Sequence, residues 1–140
     1  MEKYIVSACL VGKNTKYNGG NNKNDKIINF LKDKEYILVC PEVSGGLSIP
    51  RLPSEIVKDK VINKEGKDVT YEFNLGTQKE IERVKEFKGT IAILKSKSPS
   101  CGNNLIYDGT FTSSLIEGDG LFTKELKKLG VKILTELDFD

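Results

Sequence analysis

The chain contains no histidine and no tryptophan, one methionine and three cysteines among 140 residues. Without histidine, the commonest general base and the commonest metal-binding side chain are both excluded. Acid–base chemistry must fall to carboxylates, hydroxyls, lysines or a cofactor. Three cysteines are an odd number, and in a chain of this kind they do not read as a disulfide framework. There is no run of 18 apolar residues, so no membrane span is expected. The opening MEKYIVSACL is too short an apolar stretch for a secretory signal and has no cleavage site, which makes the cytoplasm the expected location. An excess of one charge is missing too: 22 basic and 20 acidic residues leave a net charge of +2, no footprint for a large nucleic-acid surface. Neither G-x-G-x-x-G nor Walker A spacing occurs. Gly118-Asp119-Gly120 therefore reads as the start of the last helix, with Asp119 as its N-cap.

What is present is enough for one folded domain over residues 1–140. A chain near 150 residues buries roughly 70% of its unfolded surface. Hydrophobic residues at 38% and charged ones at 30% argue against disorder. Short β-branched runs bounded by turn residues predict strands over 4–8, 36–39, 90–94 and 131–134. Helical periodicity predicts three helices. The first, 25–34, has Ile27, Ile28, Phe30 and Leu31 on one face and Asp25 as its cap. The second, 69–87, is capped by Asp68, interrupted by Gly76 and ended at Gly89. The third, 120–129, is closed by Gly130. Pro41, Pro50 and Pro53 bound an irregular segment. Hairpins are expected between 57–63 and 67–69, turning at Glu65-Gly66, and over 103–111 around Asp108-Gly109. Residues 13–16 and Gly19-Gly20-Asn21-Asn22 read as one exposed, flexible loop. The alternation implies an α/β fold: a mainly parallel sheet flanked by helices in Rossmann-like layers, with a small β-hairpin insertion.

Each cysteine falls at or just past the carboxyl end of a predicted strand. Cys9 follows Tyr4-Ile5-Val6, Cys40 follows Tyr36-Ile37-Leu38-Val39, and Cys101 follows Ile91-Ala92-Ile93-Leu94 through KSKSPS. In an open parallel sheet that edge is where ligands bind. On the residues alone three readings stay open. The cysteines are buried small hydrophobes; or they hold zinc with a fourth ligand, although C-x-x-C knuckles are absent; or three thiolates hold a [4Fe-4S] cluster and leave one iron open. Two loops carry further chemistry. In Cys40-Pro41-Glu42-Val43-Ser44-Gly45-Gly46-Leu47, Glu42 is either an exposed loop carboxylate or a neighbour of whatever the thiolate binds. Apolar surroundings there would favour its protonated form and general acid work. In Lys95-Ser96-Lys97-Ser98-Pro99-Ser100-Cys101-Gly102, two lysines and three hydroxyls either depress the thiol pKa and bind an anion or form a solvated basic loop.

SACL at 7–10, CPEVSGGLSIPRLPSEI at 40–56, KSKSPSCG at 95–102, IYDGTF at 106–111 and GDG at 118–120 together resemble the DUF523 family, whose characterised branch is the thiouracil desulfidases. The resemblance runs in order over nearly the whole chain. It implies that Cys9, Cys40 and Cys101 ligate three irons of a [4Fe-4S] cluster, the fourth iron binding the sulfur of a thiocarbonyl such as 2-thiouracil. It implies Glu42 as the acid–base carboxylate and a serine of the SPSCG block as a second catalytic group, with Ser98 preferred and Ser100 the substitute. The implied reaction removes sulfur without net redox change, yielding the oxo base and sulfide from a small thiolated base. Backbone amides of Gly45, Gly46 and Gly102 would then stabilise charge developing on the heterocycle. Two positions depart from the family pattern: Asn18, where an aspartate is common, and Ser44, where a leucine is common. The alternative is an iron–sulfur module that transfers sulfur or senses, without hydrolysis.

Overall fold

In the computed structural model, which describes residues 2–139, the elements run β1 (Lys3–Ser7), a 3-10 turn (Ala8–Val11), α1 (Asp25–Leu31), β2 (Glu35–Val39), α2 (Pro41–Ser44), β3 (Ser54–Val57), β4 (Lys60–Asn63), α3 (Thr70–Phe87), β5 (Ile91–Leu94), β6 (Leu105–Tyr107), β7 (Leu115–Glu117), α4 (Leu121–Lys128), β8 (Lys132–Thr135) and a closing 3-10 turn (Glu136–Phe139). The central sheet has the order β2-β1-β5-β8, and every pair in it is parallel. Its middle strands are covered on both faces, which is why their apolar runs are unbroken. Tyr4, Val6, Ile91 and Ile93 pack with Ile27 and Leu31 of α1 on one face. Ile5, Ala92 and Leu94 pack with Ile81 and Val84 of α3 and with Phe122 and Leu126 of α4 on the other. Phe30 contacts Tyr4 and Phe139 edge-on, with both ring pairs 5.3 Å apart, and so ties the C-terminal turn to the α1 face.

The chain leaves β1 toward β2 on one side and returns through β5 on the other. The carboxyl ends of β1 and β5 therefore form the point where strand order reverses, the usual ligand crevice of such sheets. The hairpins β3–β4 and β6–β7 lie outside the main sheet and share a third apolar cluster of Ile56, Val61, Val69, Phe73 and Ile106.

The irregular segment expected after Pro41 contains α2. Pro41 is its first residue, where a missing N–H removes no helix hydrogen bond. Gly76 is no weak point in α3. A Cβ there would overlap Pro41 O and lie 2.7 Å from the Pro41 carbonyl carbon, and one on Gly45 would overlap Glu72 O. The two glycines let α2 and α3 meet backbone to backbone.

Several boundaries differ from expectation. The first hairpin turns at Lys58-Asp59, joining β3 to β4, because Lys58 adopts the left-handed conformation (φ 61°) usually given to glycine. Glu65-Gly66 forms only a later turn, Gly66 N–H donating to Asn63 O at 2.8 Å. In the second hairpin Asp108-Gly109 opens the loop 108–114, and the returning strand is β7. Asn24, not Asp25, caps α1: its Oδ1 accepts the Ile27 N–H at 3.1 Å. Val69 is the N-cap of α3, while Asp68 accepts the Thr70 N–H from one position earlier. Lys88 (φ 63°) takes the left-handed end of α3; Gly89 instead makes room for Ile5, whose Cδ1 lies 2.6 Å from where a Cβ would stand. Gly120 is the N-cap of α4, and Asp119 is engaged elsewhere, accepting the Asn104 N–H (2.8 Å) and pairing with Lys127 (3.0 Å).

Candidate active site

The three thiols line one cavity of about 450 Å³ at the carboxyl edge of the sheet. Cys9 sits in the 3-10 turn that ends β1, Cys40 between β2 and α2, and Cys101 in the loop after β5. All three are free; Cys9 and Cys40 are half-buried and Cys101 is buried. The loop expected to be flexible is tied back onto Cys9, whose carbonyl accepts the Asn22 N–H at 2.9 Å and whose sulfur lies 3.5 Å from Asn22 Nδ2. Cys40 is held through its own N–H, which donates to Glu80 Oε2 at 2.8 Å. Glu80 is 1% exposed and pairs with Arg83 Nη1 at 2.8 Å, which also donates to Leu38 O. The Cys101 N–H donates to Ser98 Oγ at 2.7 Å.

Burial raises all three thiols above their ordinary value, Cys101 to about 12. Hydroxyls of Ser7 and Ser100 pull Cys101 back, Asn22 does so for Cys9, and the Val43 amide for Cys40. Cys40 raises Cys9, and both raise Cys101, so the thiols feel one another across the cavity. Without metal they are protonated near neutrality, and binding all three to metal releases protons. Among the described residues no three His, Cys, Asp or Glu side chains close on a single ion. A cubane does not ask for that, since each thiolate takes a different iron. A set of only thiolate donors at the ends of adjacent strands, flanked by N–H and O–H groups, fits such a cluster.

Glu42, on α2, faces the same cavity, but its surroundings are not the apolar ones expected. Its Oε1 accepts from Arg51 Nε at 3.1 Å and its Oε2 from Ser100 Oγ at 3.0 Å. The ion pair is largely buried, the side chains being 16% and 8% exposed. Arg51 also donates to Thr15 O (2.8 Å) and Ser48 O (3.2 Å), which locks three loops around the carboxylate. Both carboxylate oxygens therefore carry a donor, the one at Oε1 charge-assisted. Ser100 is buried and Ser98 half-buried, their Oγ atoms 3.4 Å apart. Ser98 thus faces the cavity while Ser100 bridges it to Glu42.

The glycines do not present the donors expected of them. Gly45 N–H donates to Pro41 O and Gly46 N–H to Val43 O, both at 3.0 Å, and Gly102 N–H to Ser98 O at 2.9 Å. Their amides are spent on local backbone, and the glycines serve close packing and tight turns instead. Of the two lysines before Cys101, Lys95 pairs with Glu136 at 3.0 Å, and both Lys95 and Lys97 line the cavity. Of the two departures, Asn18 is exposed and accepts the Gly20 N–H, and Ser44 is a half-buried residue of α2.

Arg51, Glu80 and Glu136 were missed from sequence. Arg51 lies inside the SIPRLPSEI stretch, but its partner is nine residues away across a turn. Glu80 carried a signal: it is a charged residue beside Ile81 on the buried face of α3.

The chain is similar to known proteins over nearly its whole length. The family model described as 2-thiouracil desulfurase matches residues 4–138. The Bacillus subtilis (strain 168) protein YbbK, described as uncharacterized, is 36% identical over 142 residues, covering 94% of each chain. The solved structure of the [4Fe-4S]-dependent thiouracil desulfidase TudS (DUF523Vcz) is 34% identical, with a TM-score of 0.92, covering 99% of this chain and 93% of that one. With the match extending from β1 to the final turn, the chain belongs to the 2-thiouracil desulfurase family.

Proposed function

We propose that the protein is a desulfidase that hydrolyses the C=S group of a small thiolated base such as 2-thiouracil, releasing the oxo base and sulfide with no net redox change. The observation that carries this reading is the meeting of Cys9, Cys40 and Cys101 with the Glu42–Ser100 hydrogen bond in one cavity. Cys9, Cys40 and Cys101 would hold a [4Fe-4S] cluster, which when bound supplies a Lewis-acidic iron for the thiocarbonyl sulfur. The chain's own residues handle the protons. Glu42, fixed by Arg51, takes a proton from the attacking water and returns it to the ring nitrogen or the departing sulfur. Ser100 donates to Glu42, so the Ser98 hydroxyl, which accepts from the Cys101 N–H, is free to donate to Ser100 or to substrate. Ser98, Ser100 and Glu42 form a hydroxyl relay from the cavity to a carboxylate. The balance is one water consumed, one C=S broken and one C=O formed. The reaction belongs in the cytoplasm, where thiols stay reduced, and the charge balance suits a small-molecule substrate. Among the described residues no helix is long and apolar enough to cross a membrane.

Glu42→Gln tests the acid–base role. The cluster spectrum should be unchanged while sulfide release falls about tenfold or more. Ser98→Ala should lower turnover with iron content intact. Unchanged turnover in Glu42→Gln removes that residue from the mechanism.

A further inference from the structure

Two blocks of the sequence, SEI at 54–56 and IYDGTF at 106–111, take no part in the cluster or the relay, yet they meet at the cavity. Glu55, Tyr107, Phe111 and Ser113 all line it. Glu55 is 8% exposed on β3, and among the described residues it makes no ion pair. A buried carboxylate without a cation must be satisfied by hydrogen bonds. Glu55 Oε1 accepts two, from Gly109 N–H at 3.0 Å and from Phe111 N–H at 3.1 Å.

Those two amides belong to a loop that does not hold its shape cheaply. Phe111 (φ 57°) and Ser113 (φ 63°) are both left-handed, a conformation disfavoured for side chains with a Cβ. On its solvent side the loop is bonded to itself: Asp108 Oδ1 accepts from Thr110 Oγ1 at 2.6 Å, and the hydroxyls of Thr110, Thr112 and Ser114 follow in a chain. These exposed bonds shape the loop and do not attach it to anything. Attachment comes from Glu55, helped by Gly109, which sits so close to β3 that a Cβ would be 2.9 Å from Ile56 O.

We infer that Glu55 is a positioning residue for substrate: by clamping the amides of Gly109 and Phe111 to β3, it holds the Phe111 ring as an aromatic wall of the cavity, against which a flat heterocycle stacks. The stacking half of this inference rests on the desulfidase reading; the clamp does not. Phe111 makes the contact, and Glu55 acts through it.

The experiment uses the anaerobically prepared holoenzyme with 2-thiouracil and compares Glu55→Ala, Glu55→Gln, Phe111→Ala and the Glu55→Ala/Phe111→Ala double variant. Iron content, kcat, KM and amide hydrogen exchange are measured on each. Glu55→Ala is expected to raise KM about tenfold with kcat nearly unchanged, the pattern of lost substrate binding, because base–aromatic stacking is worth about that factor. Exchange at Gly109 and Phe111 should accelerate about tenfold or more while iron content stays at the wild-type level. Glu55→Gln keeps an acceptor oxygen and should restore both readouts. Phe111→Ala should raise KM by a similar factor, and the double variant should be no worse than that single variant. Unchanged exchange at Gly109 and Phe111 in Glu55→Ala overturns the clamp. An unchanged KM, or additive effects in the double variant, overturns the wall. A wild-type protein that releases no sulfide contradicts the desulfidase reading, and the exchange measurement alone then decides whether the clamp exists.

Discussion

Replacing Gly76 with alanine sets two rules of helix physics against each other. In an exposed helix interior, alanine is favoured over glycine by about 1 kcal/mol. At position 76 the new Cβ would overlap Pro41 O and stand 2.7 Å from the Pro41 carbonyl carbon and 2.8 Å from Gly45 N. All three obstacles are backbone atoms, so no side chain can rotate away. Bringing the overlap with Pro41 O back to an ordinary contact requires α2 to retreat from α3 by roughly 1.5–2 Å. Overpacking of this kind costs about 1–3 kcal/mol. Set against the propensity gain, the net loss of stability is about 0–2 kcal/mol. The functional loss should be larger. The displaced helix carries Glu42 and begins just after Cys40, and its working contacts are hydrogen bonds of 3.0 Å to Ser100 and 3.1 Å to Arg51. A misplacement of even about 1 Å can cost about 10²-fold in rate. Urea unfolding of Gly76→Ala, with iron content and sulfide release measured on the same preparation, separates the two effects. The expected result is a mildly destabilised protein with strongly reduced turnover. A variant more stable than wild type and fully active would refute the reasoning, since it would mean that α2 and α3 need no backbone contact.

The remaining predictions concern the groups that hold the cavity in place. Burial pushes the Glu136 carboxyl up, but hydrogen bonds from Ser96 and Lys95 outweigh it and hold it below the ordinary 4.5. Its contribution is therefore complete above that value and is lost as pH falls through the lower, folded one. Urea midpoints of wild type and Glu136→Gln should differ by a constant amount near neutrality and converge as the pH drops below 4.5; a gap that widens with acid would contradict the sign. Glu80→Leu leaves the Cys40 N–H without an acceptor and should cost about 1–3 kcal/mol. It should also lose iron faster to a chelator, whereas Glu80→Gln keeps an acceptor and should lose little. Equal iron-loss rates in wild type and Glu80→Leu would remove Glu80 from the support of Cys40.

The parallel sheet was legible because strands buried on both faces must be apolar throughout, as the four buried residues of β5 are. The thiols were legible for a related reason: each follows a short apolar run, and the runs share one carboxyl edge. Turns read less well where lysine stands in for glycine. Lys58 and Lys88 adopt left-handed conformations that no local rule assigns to them. Partners distant in sequence were not legible either. The Gly45–Gly76 contact, the Glu80 acceptor for Cys40 and the Glu55 clamp each join residues 31 to 56 apart through tertiary packing alone. Glu42 was found as a residue but misread in its setting, because Arg51 reaches it only after the loop between them folds back.

The most direct test of the central claim is to purify the protein anaerobically, determine iron and acid-labile sulfide, and follow sulfide release from 2-thiouracil. The account predicts a brown protein with about four iron and four sulfide per chain, one uracil formed for each sulfide released, and loss of both cluster and turnover when Cys9, Cys40 or Cys101 is changed to serine. A protein still colourless after anaerobic reconstitution with iron and sulfide, or a Cys101→Ser variant with full iron content and activity, would contradict it.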